Sequence, residues 1–213
     1  MQAECRASLV FSCLERDKER PARCGARIEQ DAREPEANGM IKTILVPVDG
    51  SDHAGKALSL ASDLAAKYRA RIILLHALLW FTRAETLRRL ANRRALSRQM
   101  RDLLDSYESD LRMAMEAEAA FVPVPAPREL LEAIGHQILD RAVEAAKKAG
   151  VKKVSAVMVG GDPADAILER AKREKADMIV LGSRGLGDFK GLVLGSVSHK
   201  VGSRAECTCV TVK

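Results

Sequence analysis

Five short apolar runs punctuate the chain, and between them apolar residues recur every three or four positions. The first run is Ile41–Val48, with Pro47 near its end, where a missing main-chain donor is tolerable. Asp49-Gly50-Ser51 reads as a turn, with Ser51 or Asp52 capping a helix on which Ala54, Ala57, Leu58, Ala61, Leu64, Ala65 and Tyr68 share one face. Arg71–Leu78 is a second buried strand. Residues 83–119 follow as one long helix or two, with an apolar stripe at Leu96, Met100, Leu103, Tyr107 and Leu111. Pro123, Pro125 and Pro127 break that segment, because proline lacks the donor a helix interior needs.

A further helix runs from about Arg128 to Lys148 and stops at Gly150. Val151–Val159 is the third strand. Asp162-Pro163 opens the next helix with a capping carboxylate and a proline at its first position, and Ile167, Leu168 and Ala171 form its inner face. Ala176–Leu181 is the fourth strand. A short helix from Gly195 to about Arg204 and a strand at Cys207–Val212 complete the order. Strands alternating with helices require crossover connections and a parallel sheet. The fold class is therefore doubly wound α/β, with five parallel strands and a helical insert at 80–127 between the second and third. The order is 2-1-3-4-5 or 3-2-1-4-5.

The first 39 residues break this rhythm. Seven basic and eight acidic side chains mix there without a period, which predicts a disordered extension. Met40, directly before the first strand, is a candidate start of translation, and residues 40–213 are the folded domain. Leu9–Cys13 has too short an apolar lead for a lipoprotein signal. No apolar run approaches the ~18 residues of a membrane span.

Charge and cysteine content narrow the picture. The net charge is +6, and residues 83–101, with seven Arg and one Glu, hold a local excess of the same size. The basicity thus belongs to the insert, as a solvated helix face or as a surface for an anionic partner between Arg83 and Arg101. Aromatic residues make up only 3%, too few for the stacking platforms of a nucleic-acid binder. Five cysteines without framework spacing point to reduced thiols in a cytoplasmic protein.

The chemistry concentrates after the fourth strand. Gly182-Ser183-Arg184-Gly185 leaves that strand, and Gly195-Ser196 enters a helix. Glycine lets peptide N–H groups approach an anion, and a helix N-terminus adds unpaired donors and a positive dipole end. In a parallel sheet the ligand crevice lies beyond the carboxyl ends of the strands where the order reverses. With the order 3-2-1-4-5, Asp49 and Gly182 face each other across it. The carboxylate can accept from ribose or adenine, and the glycines take phosphate, with Arg184 and Lys190 nearby. The sequence has no Gly-x₄-Gly-Lys-Ser/Thr loop and no Gly-x-Ser-x-Gly elbow, and His53, His136 and His199 share no metal-ligand spacing. His53-Ala54-Gly55-Lys56 matches only part of a nucleotidyl-transferase His-x-Gly-His.

Gly182-x₂-Gly185-x₉-Gly195-Ser196, together with Ile44–Ser51 and Gly161-Asp162-Pro163, resembles the universal stress protein family over roughly Ile41–Lys213, apart from the insert. The resemblance implies the order 3-2-1-4-5, ATP as ligand with Mg²⁺ accompanying its phosphates, and a homodimer through the C-terminal strand. By position it implies that Pro47 lines the pocket, Asp49 contacts ribose or adenine, and Ala77 offers main-chain bonds to adenine. Gly182, Gly185, Gly195, Ser196, Val197 and Ser198 would surround ribose and phosphates, and the absence of a catalytic base implies slow or no turnover. Two features depart from the family pattern: the long basic insert, and Thr208 where the last strand usually carries proline.

Overall fold

The computed structural model describes residues 40–78, 84–91, 96–116, 125–186 and 194–213. The N-terminal extension, Arg83, Arg93, Arg94, Pro123 and Lys190 lie outside them. Eleven elements follow in chain order: β1 Thr43–Pro47, α1 Asp52–Tyr68, β2 Arg71–Leu78, α2 Ala84–Leu90, α3 Arg98–Glu116, α4 Arg128–Lys148, β3 Val154–Gly160, α5 Pro163–Glu174, β4 Met178–Gly182, α6 Ser196–Arg204 and β5 Thr208–Val212. The strands form one parallel sheet in the order β3-β2-β1-β4-β5. This decides between the two expected orders in favour of 3-2-1-4-5.

Period-two alternation sends successive side chains to opposite faces, and both faces are covered. Ile44, Val46, Ile72 and Leu74 pack into one core with α1, α4 and the insert helices. Leu45, Ile73, Leu75, Ile179 and Leu181 pack into the other with α5 and α6. Cys207 and Cys209 both join that second core, as two positions one pleat apart should.

Local chemistry fixes the element ends. The Ser51 hydroxyl accepts from Ala54 N at 3.2 Å and caps α1, so Ser51 is the cap and Asp52 the first helical residue. Asp162 accepts from Asp165 N at 3.0 Å, with Pro163 at the first helical position of α5. At the amino end of the sheet Asp177 Oδ2 accepts from Lys42 N and Thr43 N, both at 2.8 Å, which staples β1 to β4. The third strand starts at Val154, later than the pattern predicts, because after the turn at Ala149–Gly150 the chain runs irregularly through Val151–Lys153 before pairing with β2.

The insert contains two helices among its described residues. Leu96 and Tyr107 are buried as the stripe predicts, whereas Met100, Leu103 and Leu111 are only partly covered. The most buried position is Leu104, which that stripe passed over; a fully buried leucine contributes about 1.5–3 kcal/mol. Arg88 of α2 forms a two-nitrogen pair with Glu108 of α3, so part of the basic run is neutralised within the insert itself.

Candidate functional site

The β1–β4 pair is the place where the strand order reverses, and its ladder is short. Ile44 and Leu45 pair with Met178 and Ile179, and no pairing continues toward the carboxyl ends. Pro47 explains why. Val48 N donates to Leu75 O of β2 at 2.8 Å, so by alternation the residue before it turns its nitrogen toward β4. That nitrogen is proline's and carries no hydrogen. The pairing of the two strands therefore ends there, with the β1–α1 turn and the exit of β4 side by side at the place expected for a ligand crevice.

Asp49 and Gly185 meet at this place. A Cβ built on Gly185 would stand 2.6 Å from Asp49 Oδ2, closer than any side chain tolerates. Asp49 is held in place by its other oxygen, which accepts from Ser51 N at 2.9 Å. One carboxylate oxygen is thus committed to the turn, and the other looks onto the bare backbone of the glycine loop.

Gly182 is glycine for a different reason. A Cβ there would lie 2.8 Å from the main-chain carbon of His53 and 2.9 Å from Ala54 N. The first turn of α1 sits directly on the end of β4, so Gly182 permits helix-to-strand packing. Phosphate approach does not by itself account for it.

Beyond Gly182 the chain is stitched together by Ser183. Its N–H donates to Val212 O of β5 at 2.6 Å, and its carbonyl accepts from Gly195 N at 2.7 Å. The Ser198 hydroxyl lies 2.9 Å from both Ser183 O and Gly195 O and shares its one hydrogen between them. Ser183 and Ser198 are both buried. The two ends of the loop that follows β4 are therefore tied to each other and to β5. Sequence patterning did not single out Ser183; its only signal was a place inside the glycine motif.

α6 begins at Gly195, which offers no side-chain cap, and its first turn contains no acidic residue. The first amides of a helix have no acceptor within it, so those of Ser196, Val197 and Ser198 carry the positive end of the dipole. Ser196 and Arg184 are exposed, while Val197 is half-buried in the α5–α6 core. Lys200 and Arg204 bond to Asp162 and Asp165 of α5 at 2.7–3.2 Å and hold α6 in register against it.

Ala77 closes the remaining side. β2 outruns β1, whose pairing ends at Pro47 opposite Leu75. Main-chain groups of Ala77 point the same way as those of Leu75, past the end of β1, while its side chain stays in the second core. The neighbouring His76 faces the other way. Its Nδ1 is 2.7 Å from Val48 O, and since a carbonyl only accepts, Nδ1 carries the proton. Burial pushes this imidazole below its ordinary pKa, against smaller opposite effects from Val48 and Asp49. It is a structural tie between β1 and β2. Among the described residues no three His, Cys, Asp or Glu converge as a metal site would require.

A universal stress protein family model matches residues 40–213. The chain belongs to the universal stress protein family. It is 33% identical over 182 residues to a universal stress protein of Thermus aquaticus encoded in the QAH/OAS sulfhydrylase 3′ region, covering 82% of this chain and 100% of the relative. It is 29% identical over 177 residues to the Bacillus subtilis universal stress protein YxiE, again with 82% and 100% coverage. UspA of Lactobacillus plantarum shares the fold, with a TM-score of 0.55 at 21% identity over 83% of this chain and 100% of that one. A universal stress protein crystallised with cAMP aligns with a TM-score of 0.50 at 25% identity, covering 81% of this chain and 96% of the other.

Proposed function

We propose that this protein binds an adenine nucleotide, ATP in the cell, in the crevice between β1 and β4, and acts as a nucleotide-dependent switch in a stress response. The juxtaposition of Asp49 with Gly185, beside the uncapped start of α6, carries the proposal. A purine and ribose need an acceptor and an open strand edge; Asp49 and the main chain of Ala77 offer both. A phosphate chain needs unpaired N–H donors; the amides of Gly185, Ser196, Val197 and Ser198 offer them, on the far side of the loop from Ser183, whose N–H is already given to Val212 O. Arg184 adds a cation at the rim, Pro47 keeps the crevice open, and Mg²⁺ accompanies the phosphates. The cAMP complex of a similar family member agrees with this ligand class.

Efficient phosphoryl transfer needs a positioned metal ligand, a charge clamp and an oriented nucleophile. The described residues around this site form a cradle with no base aimed at a phosphate, and we infer that the protein holds its nucleotide with slow or no turnover. Occupancy changes the surface that partners meet, to the extent that the occupied and empty states differ in affinity; residues 187–193, between Gly185 and Gly195, lie outside the described residues. We place the protein in the cytoplasm, where reduced Cys207 and Cys209 and a millimolar nucleotide pool belong together, and assign residues 40–213 as its nucleotide-binding domain. No helix among the described residues is long and apolar enough to cross a membrane. Mass spectrometry of small molecules released from protein purified gently from its own host tests the proposal. Co-purified adenine nucleotide at near one per chain is expected, and a different ligand class in that amount would refute it.

A further inference from the structure

A second cavity lies on the other side of the β1–α1 turn. It is an open pocket of about 250 Å³, bordered by the end of β1, the first turns of α1, the carboxyl end of α2 and the middle of α4. Its walls are apolar, with Val48, Ala54, Leu58, Leu90, Ile138 and Ala142. Gly50, Ser51, Gly55 and two arginines, Arg89 and Arg141, complete the described lining, and no acidic side chain is among it. Arg141 donates through Nε to Gln137 O and through Nη2 to Leu90 O, both at 3.1 Å, which pins α2 to α4. Its remaining N–H groups are uncommitted among the described residues, and no described carboxylate pairs with Arg89.

Another pocket, about 590 Å³ between α5 and the α6–β5 connection, differs in kind. Its Lys172, Lys175 and Arg204 are matched by Asp165, Glu169 and Glu206, and Arg204–Asp165 and Lys172–Glu206 are ion pairs already made. That cavity selects no sign of charge. The smaller one does.

We propose that the cavity between α1, α2 and α4 is a binding site for a small amphiphilic anion, a short aliphatic chain ending in a carboxylate. The chain would lie against Leu58, Leu90, Ile138 and Ala142, and the carboxylate would pair with Arg89 and Arg141 at the rim. A guanidinium fork matches a carboxylate in geometry as well as charge. The volume falls below the roughly 300–1,000 Å³ of sites for drug-sized ligands, which restricts the occupant to a short chain. The site belongs to this chain's own insert, since α2 supplies both Leu90 and Arg89. It also adjoins the turn that carries Asp49: a Cβ on Gly50 would stand 2.7 Å from Leu90 Cδ2 and 3.4 Å from Ile138 Cδ1. The site stands independently of nucleotide binding.

Octanoate is the probe. Titrated into the full chain and followed by methyl NMR, it is expected to shift Val48, Leu90 and Ile138 in a saturable manner, while hexylammonium shifts none of them. Arg89→Gln should raise the Kd of octanoate by about tenfold or more, the loss of a charge-assisted hydrogen bond. Gly55→Leu provides a second test that does not threaten folding. Gly55 lines the cavity, a Cβ there meets nothing within 4 Å, and leucine is the better helix former. The added side chain should fill the space and abolish the shifts while the thermal transition is kept. Shifts retained in Gly55→Leu, equal binding of octanoate and hexylammonium, or no saturable shift in the wild type would each overturn the proposal.

Discussion

At the scale of single residues, Asp49 has two jobs, one on each oxygen. Oδ1 holds the turn through Ser51 N, and Oδ2 faces the glycine loop. Asp49→Ala should weaken adenine-nucleotide binding by about 1–3 kcal/mol, the range for losing a hydrogen bond to a charged group. Equilibrium titration checks this, and unchanged affinity would reduce Asp49 to a turn-former. His76 makes a pH prediction. Its folded pKa lies below the ordinary value of 6.5 because burial disfavours the charged ring. As pH falls through 6.5, the unfolded chain takes up the proton first, so this site contributes stability that is present above 6.5 and is lost progressively toward the lower folded pKa. Urea midpoints across that window should fall less steeply in His76→Phe than in the wild type; parallel slopes would contradict the assignment.

Asp49 opposite the glycine loop was legible in the sequence because strand ends and glycines are punctuation that a pattern exposes. The reason for Gly182 was not: it depends on His53 and Ala54, more than a hundred positions away, and no local pattern carries a contact of that range. The same holds for Ser183, whose hub role exists only once β5 and α6 have been folded against it.

Among the elements, the helices with strong caps were predicted closely. Ser51 and Asp162 each bond a first-turn amide, and Gly150 ends α4 with φ at +90°. Ser51→Ala should lower stability by about 1 kcal/mol, measured by urea unfolding, through loss of the α1 cap. No change would mean that the packing of α1 on β4 alone fixes its start. The ends of α1 and α5 were less legible. Arg69 and Lys175 close them in the left-handed conformation that usually marks glycine, so the stop signal was missing from the sequence. In α3 the most buried position is Leu104, one residue from Leu103 of the expected stripe, so the buried face is wider than a single line.

For the whole molecule, the sequence left two strand orders open, since alternation determines parallel pairing but not which strand lies next to β1. The proline in β1 ends the β1–β4 ladder early at the switch point. β5 is an outer strand of the sheet, and its Val212 spends its carbonyl on Ser183 N. By alternation Thr211 turns its main-chain groups to the open edge. We expect a homodimer joined along β5, seen as twice the chain mass in sedimentation equilibrium. Thr211→Pro removes an outward donor and should shift the distribution to monomer with the circular dichroism retained; a wild-type monomer at all concentrations would contradict the β5 interface.

The central claim is that the main-chain amides beyond β4 and the carboxylate beyond β1 form one nucleotide site. Isothermal calorimetry of ATP into the wild type and into Gly185→Val tests it most directly. The branched side chain would collide with Asp49 Oδ2 and displace that carboxylate; the loop position is exposed, and circular dichroism checks that the variant is folded. Saturable binding near one ATP per chain in the wild type, lost in the folded variant, is the predicted result. A flat wild-type trace, or equal affinity in the two proteins, would contradict it.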